Sequence, residues 1–265
     1  MQRDAPVRRL ALLVEYEGTA YRGSQYQRDA PTIQASLERA LSSLTGELTR
    51  VTLAGRTDSG VHARGQVASF LTASSHSVET FMRGLNALLA GDIAIRAAAE
   101  VPLGFDPRRQ AQSRWYRYTI HVGRQRPALL RHLVWHVGQS LDVTAMAAAT
   151  GALPGRHDFA AFTPPSEAGR RRTERVVMAA QVNRCGKGLV CFDIEANAFL
   201  PHMARRLVAA LVEVGLGKRT AAEIEALLQE ARPGTARSLA PARGLCLMKV
   251  RYESGLFDDE TDEEL

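Results

Sequence analysis

Two kinds of apolar spacing alternate along the chain, and this alternation restricts the possible fold more than any other feature of the sequence. Apolar residues at every second position predict strands, and apolar residues three or four positions apart predict amphipathic helices. The first round is predicted as a strand over 9–16, a helix over 32–44 with Thr32 as N-cap, strands over 50–54 and 66–71, a helix over 77–89 and a strand over 93–101.

The pattern begins again after residue 107. The second round is predicted as a strand over 112–122, a strand within 131–138, a helix from Asp142 to about Gly151, a hairpin of strands 173–183 and 188–196, a helix over 201–214, a helix opened by Thr220 and Glu223, and a strand over 245–252. The element order predicts an α+β protein with two ferredoxin-like halves, residues 1–104 and 105–253. No residue-level repeat links the halves, so the duplication rests on element order. The acidic tail, 254–265, is predicted to be disordered.

Apolar runs in this chain are short. The longest, at 207–212 and 176–180, fall far below the roughly 18 residues that a membrane span requires. The apolar run near the N-terminus ends at Glu15 without the small-residue site of a cleaved signal peptide. We therefore expect a cytoplasmic protein that does not enter a membrane.

Arginine dominates the charge of the chain. The last eight residues hold six of the 28 acids, so the other 257 residues carry 34 cations against 22 acids, a net charge of +12. Only three of those cations are lysine. Arginine pairs with phosphate and stacks on bases, which favours a nucleic-acid partner. Biased codon usage with ordinary solvated surfaces explains the same composition equally well, so both interpretations stay open.

Cysteines and histidines provide no recognisable metal site. Cys185, Cys191 and Cys246 are odd in number and include no Cys-x-x-Cys pair, so we expect buried apolar groups, neither a disulfide framework nor a zinc site. His132 and His136 are four residues apart, but on a predicted strand this spacing does not form a metal site. These residues therefore give no support for a metal cofactor and do not exclude one.

A loop between two short strands is the most conspicuous polar segment. Over residues 54–63 it places Arg56 and Asp58 between Gly55 and Gly60, and glycines allow backbone conformations that other residues resist. An aspartate close to an arginine could be held ionised for chemistry. The ordinary alternative is a turn in which Asp58 only accepts bonds from nearby backbone N–H groups.

The wider stretch AGRTDSGVHARGQVASF resembles the signature GRTDAGVHA-x-GQV of the TruA family of tRNA pseudouridine synthases. Eleven of the twelve specified positions match, with Ser59 in place of alanine. Further segments resemble family blocks in family order, namely EGTAYRGSQYQ, PTIQASLERAL, LNALLAGDIAI, SRWYRYTI, GRHDFAAF, NAFLPHMARRLVAALVEVGLGK and APARGLCLMKVRY. Ser24 departs from this pattern, because the family usually has tryptophan there, and Pro107 and Pro201 are also unusual.

The resemblance implies a fold, a reaction and partners. The implied fold is the α+β pseudouridine synthase fold, in which two ferredoxin-like halves share a mixed, mainly antiparallel sheet with a central cleft that holds the active site. The implied reaction detaches uracil, turns it and reattaches it through carbon 5, at positions 38, 39 and 40 in the anticodon stem-loop of tRNA. The family needs neither metal nor cofactor, flips the target base, and acts as a homodimer on tRNA.

The resemblance also implies roles for individual residues. Asp58 matches the nucleophile, Arg56 the arginine that helps displace the target nucleotide, and Tyr116 the tyrosine that packs on the target base and assists proton removal from carbon 5. Arg205 matches the arginine that pairs with the catalytic carboxylate, and Leu245 an apolar wall of the uracil pocket.

Ordinary structural interpretations remain beside these roles. Tyr116 shares a strand face with Tyr118 and could be a core residue, Arg205 could be a solvated helix cation, and Leu245 could be core. Separately, the consecutive arginines Arg170, Arg171 and Arg172 are interpreted as phosphate contacts that position RNA without reading its sequence. The alternative classes are an RNA-binding module without catalysis and a deaminase, which would need a zinc cluster that the sequence lacks.

Overall fold

The chain folds into two units of strands and helices, and the computed structural model describes residues 6–167 and 172–261. The first unit comprises residues 6–112 and 247–261 of the described chain, and the second comprises 113–167 and 172–246. The predicted halves divide the chain by sequence order. The structure instead groups residues 247–252 of the last strand with the first unit, and residues 245 and 246 with the second.

The strands follow the predicted order and add one that had no clear apolar alternation, at 155–158. In chain order they are β1 (Arg8–Tyr16), β2 (Thr52–Leu53), β3 (His62–Thr72), β4 (Ile93–Val101), β5 (Ala111–Val122), β6 (Trp135–Val137), β7 (Gly155–Asp158), β8 (Glu174–Gly186), β9 (Leu189–Ala196) and β10 (Leu245–Tyr252). The α-helices are α1 (Ile33–Thr45), α2 (Val78–Leu88), α3 (Val143–Thr150), α4 (Met203–Gly215) and α5 (Ala221–Glu230).

Side-chain caps explain where most of these helices begin. The hydroxyl of Thr32 accepts a bond from the third residue of α1, and Ser77 and Asp142 do the same for α2 and α3. At α5 the Thr220 hydroxyl and the Glu223 carboxylate form a reciprocal capping box. Such bonds satisfy N–H groups that a helix leaves unpaired at its start, which is why these starts can be predicted from sequence.

The strands of the first unit lie in the order β4-β1-β3-β10, with β2 paired to β3. Strand β1 is antiparallel to both β3 and β4, and residues 10–14 at its centre are almost completely buried. Strand β3 is longer than predicted and begins at His62, so the last two residues of the polar loop, 62 and 63, belong to the strand. The loop is therefore attached at both ends to the same antiparallel pair, β2 and β3.

The strands of the second unit lie in the order β5-β9-β8-β7, and β6 lies parallel to β5. Side chains alternate along β5, so that Tyr116, Tyr118 and Ile120 are buried on one face while Trp115 and Arg117 lie on the other and bind Asp193 of β9. Helices α3, α4 and α5 contact one another, and α4 buries most of its apolar residues.

A disulfide in the second unit corrects the prediction for the cysteines. Cys185 and Cys191 are bonded, with their Cα atoms 5.8 Å apart. They lie on opposite sides of the turn between β8 and β9, so hairpin formation alone brings them together. The expectation of unbonded, buried thiols at these two positions was therefore wrong, because an odd cysteine number does not exclude one local pair.

The beginning of the acidic tail contacts the first unit. The Lys249 side chain on β10 is buried, its ammonium donates to the Asp258 carbonyl oxygen at 3.0 Å, and it lies 3.3 Å from the Asp258 carboxylate. Residues 259–261 form a short 3-10 turn, while 262–265 lie outside the described residues, so the predicted disorder concerns a segment described only in part. Within the described ranges, no helix has both the length and the apolar character of a membrane span.

Candidate active site

Asp58 lies in a short loop between β2 and β3, which we call the Asp58 loop (residues 54–61). The loop starts at Ala54, whose N–H bonds to the Val67 carbonyl of β3 at 2.8 Å. It ends in a turn in which the Val61 N–H bonds to the Asp58 carbonyl at 3.1 Å. Asp58 itself is half-buried and Arg56 is exposed. An aspartate in this setting can meet a ligand while its backbone stays fixed.

A buried glutamine fixes the start of the Asp58 loop. Gln66 on β3 is fully buried, and its side-chain amide pairs with the Gly55 peptide groups in both directions. The Gly55 N–H donates to Oε1 at 3.3 Å, and Nε2 donates to the Gly55 carbonyl at 2.9 Å. A primary amide has one acceptor and one donor side, which suits two-sided pairing with one residue.

Thr57, directly before Asp58, is held by two other segments. Its N–H donates to the Ser24 hydroxyl at 2.8 Å, and its carbonyl accepts from the Ser24 N–H at 3.1 Å. Its hydroxyl is 2.8 Å from the Tyr16 hydroxyl at the end of β1. The peptide groups and the side chain of Thr57 are thus all bonded within the first unit.

The segment over residues 17–25 runs along the other side of the same loop. The Ser59 hydroxyl donates to the Tyr21 carbonyl at 3.1 Å, and the Gly18 N–H donates to His62 Nδ1 at 3.0 Å. A Cβ at Gly18 would lie 2.0 Å from the Val61 carbonyl oxygen, so only glycine permits this approach. Burial, with the hydrogen bond to Asp92, raises the pKa of Tyr21 to about 12, so this phenol stays protonated.

Sequence reasoning missed these supporting residues as individuals. Gln66 lies inside the signature motif, and this was a signal that could have identified it. Ser24 was noted only as a departure from the family pattern, and Tyr16 had no signal. Their partner Thr57 is 33 and 41 residues away, and only folding brings them together.

In the second unit, Tyr116 is buried on β5, opposite Ile194 of β9. Its ring meets the Phe199 ring edge-on, with 4.9 Å between centroids. Its neighbour on the same face, Tyr118, is fully buried and donates to the Pro241 carbonyl at 2.8 Å. Burial raises the pKa of Tyr118 above its ordinary value, and Arg205 and Arg243 act in the opposite direction.

Arg205 extends from the first turn of α4 and is half-buried. Its Nε donates to the Ala240 carbonyl at 2.9 Å, while the Ala240 N–H donates to the Arg205 carbonyl at 3.2 Å. Arg205 is thus tied to the segment that leads into β10. Leu245, at the start of β10, is buried, and a Cβ at the preceding Gly244 would lie 2.5 Å from the Tyr118 ring.

The structure therefore brings Arg205, Tyr118 and the 240–245 segment together within the second unit. Tyr116 lies two residues from Tyr118 on the same strand face. The predicted phosphate contacts are described only in part: Arg170 and Arg171 lie outside the described residues, and Arg172 is exposed. Among the described residues, no group of three or more His, Cys, Asp or Glu side chains could hold a metal ion.

Comparison with known proteins shows which family this chain is similar to. The sequence pattern of the family described as tRNA pseudouridine synthase matches residues 12–108 and 149–253, which include Asp58, Arg205 and Leu245. A distant likeness to a solved archaeal box H/ACA sRNP complex has a TM-score of 0.30 and 10% identity, covering 80% of this chain and 55% of that one.

Three similar proteins are each named tRNA pseudouridine synthase A. The protein from Roseiflexus castenholzii is 47% identical over 252 residues, covering 93% of this chain and 91% of its own. The protein from Chloroflexus aurantiacus is 44% identical, with 95% and 91% covered, and that from Citrifermentans bemidjiense is 42% identical, with 93% and 98% covered. With the signature loop and matches over nearly its whole length, the chain belongs to the tRNA pseudouridine synthase family of isomerases.

Proposed function

We propose that this enzyme converts uridine to pseudouridine at positions 38, 39 and 40 in the anticodon stem-loop of tRNA, with Asp58 as the nucleophile. The observation that carries the proposal is the support of the Asp58 loop from both sides of the aspartate. Gln66 pairs with Gly55, and Ser24 pairs with Thr57. A catalytic carboxylate must be held close to its productive geometry, and buried hydrogen bonds supply that restraint.

The proposed reaction is an isomerisation and needs no cofactor. The bond between uracil N1 and the sugar C1′ breaks, the base turns, and a bond between C5 and C1′ forms. C5 then loses a proton, and N1 gains one, so atoms and charge balance. Asp58 attacks either the sugar or the base and is released at the end, and both attack sites are compatible with its half-buried position.

The second unit contributes groups that contact the flipped base. Uracil in a stem is stacked and paired, so extruding it costs a few kcal/mol, and apolar or aromatic walls can hold the free base. We assign this role to Tyr116, which also assists removal of the C5 proton, and to Leu245. Both side chains are buried, so they exclude water from the base.

Arginines provide the remaining roles. Arg205 pairs with the catalytic carboxylate, because a guanidinium favours the ionised form of a nearby acid. Arg56, exposed in the Asp58 loop, helps to displace the target nucleotide. Arg170, Arg171 and Arg172 contact phosphates. A chain of 28.9 kDa offers limited surface for a whole tRNA, so we propose that a cytoplasmic homodimer binds it.

The test is tritium release from tRNA transcripts labelled at uridine C5, without added metal or cofactor. We expect Asp58→Ala to reduce release to background and to leave tRNA binding, measured by filter retention, within about twofold of the original enzyme. Asp142→Ala is the matched control, because it removes the same type of side chain, but from a position where the carboxylate caps α3. We expect this control to keep its activity.

Transcripts in which uridines 38, 39 and 40 are replaced singly or together by cytidine locate the reaction. We expect release to disappear when all three are replaced. Full release from that transcript would contradict the positions, and release by Asp58→Ala would contradict the nucleophile. An enzyme that binds tRNA but releases no tritium would be an RNA-binding module instead.

A further inference from the structure

Residue 24 is a serine where the family that this chain resembles usually has tryptophan, and its hydroxyl has a defined use here. Ser24 is completely buried. Its hydroxyl accepts from the Thr57 N–H at 2.8 Å, and its own N–H donates to the Thr57 carbonyl at 3.1 Å. These two bonds hold one residue, and that residue directly precedes Asp58. An indole could not accept the Thr57 N–H bond, since its nitrogen is only a donor.

Gly23 and Ser24, which lie against Thr57, are bonded to the start of helix α1. The Gln34 N–H of α1 donates to the Ser24 carbonyl at 3.0 Å, and the Ile33 N–H donates to the Gly23 carbonyl at 3.4 Å. Both donors belong to the first turn of α1, where N–H groups lack partners within the helix. A continuous path of hydrogen bonds therefore runs from the start of α1 through Ser24 to Thr57.

Gly23 makes the close approach possible. Its φ is +92°, a conformation that favours glycine, and a Cβ at this position would lie 2.8 Å from the Thr57 carbonyl oxygen. The backbone of residues 23–24 thus lies directly against the peptide that precedes Asp58. Any change at this contact is transmitted to the Asp58 loop, because the contact involves backbone atoms on both sides.

We propose that Ser24 is a positioning residue, which fixes the Thr57 peptide groups and through them the orientation of Asp58 for attack. This inference rests on the proposed role of Asp58. Ser24 touches neither substrate nor reacting atoms, so it affects the rate through geometry alone. Small displacements of a reacting group are enough to reduce turnover, and binding of the large tRNA surface does not depend on this contact.

The test compares Ser24→Ala with Ser69→Ala in steady-state tritium release. Ser69 is the matched control, because it is also a completely buried serine of the first unit, but its hydroxyl accepts from Arg9 at 3.2 Å, away from the Asp58 loop. We expect Ser24→Ala to lower kcat about 10- to 100-fold with KM for tRNA changed less than about twofold. We expect Ser69→Ala to keep kcat and KM.

Ser24→Cys provides a second measurement that does not depend on how well the alanine variant folds. A thiol fills nearly the same volume but is a weak acceptor, so we expect a kcat between those of the original enzyme and the alanine variant. Gly23→Ala disturbs the same contact from the neighbouring residue, and we expect kcat to fall again with KM preserved. If Ser24 only stabilises the fold, its variants will have a lower melting temperature, and their kcat will be unchanged at temperatures below it.

The outcomes separate this proposal from the proposed function. If the original enzyme is active, Asp58→Ala is inactive and both Ser24 variants keep the full kcat, then the role of Ser24 is overturned and the proposed function stands. An equal loss of kcat in Ser69→Ala would also overturn the role of Ser24. If Asp58→Ala keeps its activity, the proposed function itself fails, whatever the Ser24 variants do.

Discussion

Gln66 connects the sheet to the start of the Asp58 loop through a single side chain. Its amide group forms both hydrogen bonds of Gly55 and also lies 3.4 Å from the Tyr16 hydroxyl, which itself contacts Thr57. A buried network of this kind is stabilising only while every member has its partner. At the scale of the residue, then, the geometry around Asp58 depends on side chains that take no part in the chemistry.

We expect Gln66→Leu to lower the free energy of unfolding by about 2 kcal/mol, because the Gly55 N–H and carbonyl lose their partners. Turnover should fall as well, since the start of the Asp58 loop is released. Thermal denaturation and tritium release, both on purified protein, measure the two effects. Gln110→Leu is the control, because the Gln110 side chain is exposed and donates a long bond to the Gly104 carbonyl. Unchanged stability of Gln66→Leu would show that the amide network is dispensable.

Helices in this protein begin at caps that are local in sequence, and α5 is the clearest example. Thr220 and Glu223 are three residues apart and bond to each other's backbone N–H groups. Strand β7 is the opposite case, because its four residues show no apolar alternation and it forms by pairing with β8. At the scale of the element, a boundary is predictable when the groups that fix it are neighbours in the chain.

We expect Thr220→Ala to lower the free energy of unfolding by about 1 kcal/mol without changing turnover, because a cap is lost from a helix that contributes no proposed site residue. Chemical denaturation measures this change. Thr235→Ala is the control, since Thr235 is an exposed threonine whose hydroxyl only donates to the Arg232 carbonyl. An equal loss in both variants would mean that the capping box adds nothing.

The capping box of α5 predicts that the stability of the protein depends on pH. Hydrogen bonds from the backbone and side chain of Thr220 lower the pKa of Glu223 below its usual range. The pKa of Glu223 is lower in the folded state than in the unfolded state. Its carboxylate therefore stabilises the fold above the unfolded-state pKa, and this stabilisation is lost as pH falls through the folded-state pKa. The difference in stability between the original protein and Thr220→Ala should therefore shrink in acid.

Charge is distributed unevenly over the whole molecule. The net charge is +6, although the 257 residues before the last eight carry +12. Asp258 is bound to Lys249, and five further acids follow it. A polyanion such as tRNA is attracted by the basic surface and repelled by these acids, and salt weakens both effects.

We expect truncation after Asp258, which raises the net charge from +6 to +11, to tighten tRNA binding at low salt by about 3- to 10-fold. The Lys249 contact is kept in this variant. Replacing the same five acids by their amides is the control for chain length and should have the same effect. Filter binding at about 50 mM and 500 mM salt measures both, and the gain should vanish at the higher concentration. Equal affinity at low salt would contradict the charge argument.

Local patterns allowed much of this protein to be predicted. Apolar spacing placed α1, β4 and β10 with nearly correct ends, and Thr32, Asp142 and the Thr220 box act as the caps that were expected. The signature motif identified the family. The roles of Asp58, Tyr116 and Arg205 in the site came from resemblance and remain proposals.

What the sequence alone determined was set by interactions within a few residues: the element order, the helix starts and the signature loop around Asp58. The tertiary structure decided the support of that loop by Tyr16, Ser24 and Gln66, the pairing of Cys185 with Cys191, and the place of residues 247–252 in the first unit. The physical reason is the separation in sequence between the interacting residues. A cap or an apolar face is formed by residues that are close in the chain, whereas a buried hydrogen bond to Thr57 depends on how distant segments pack.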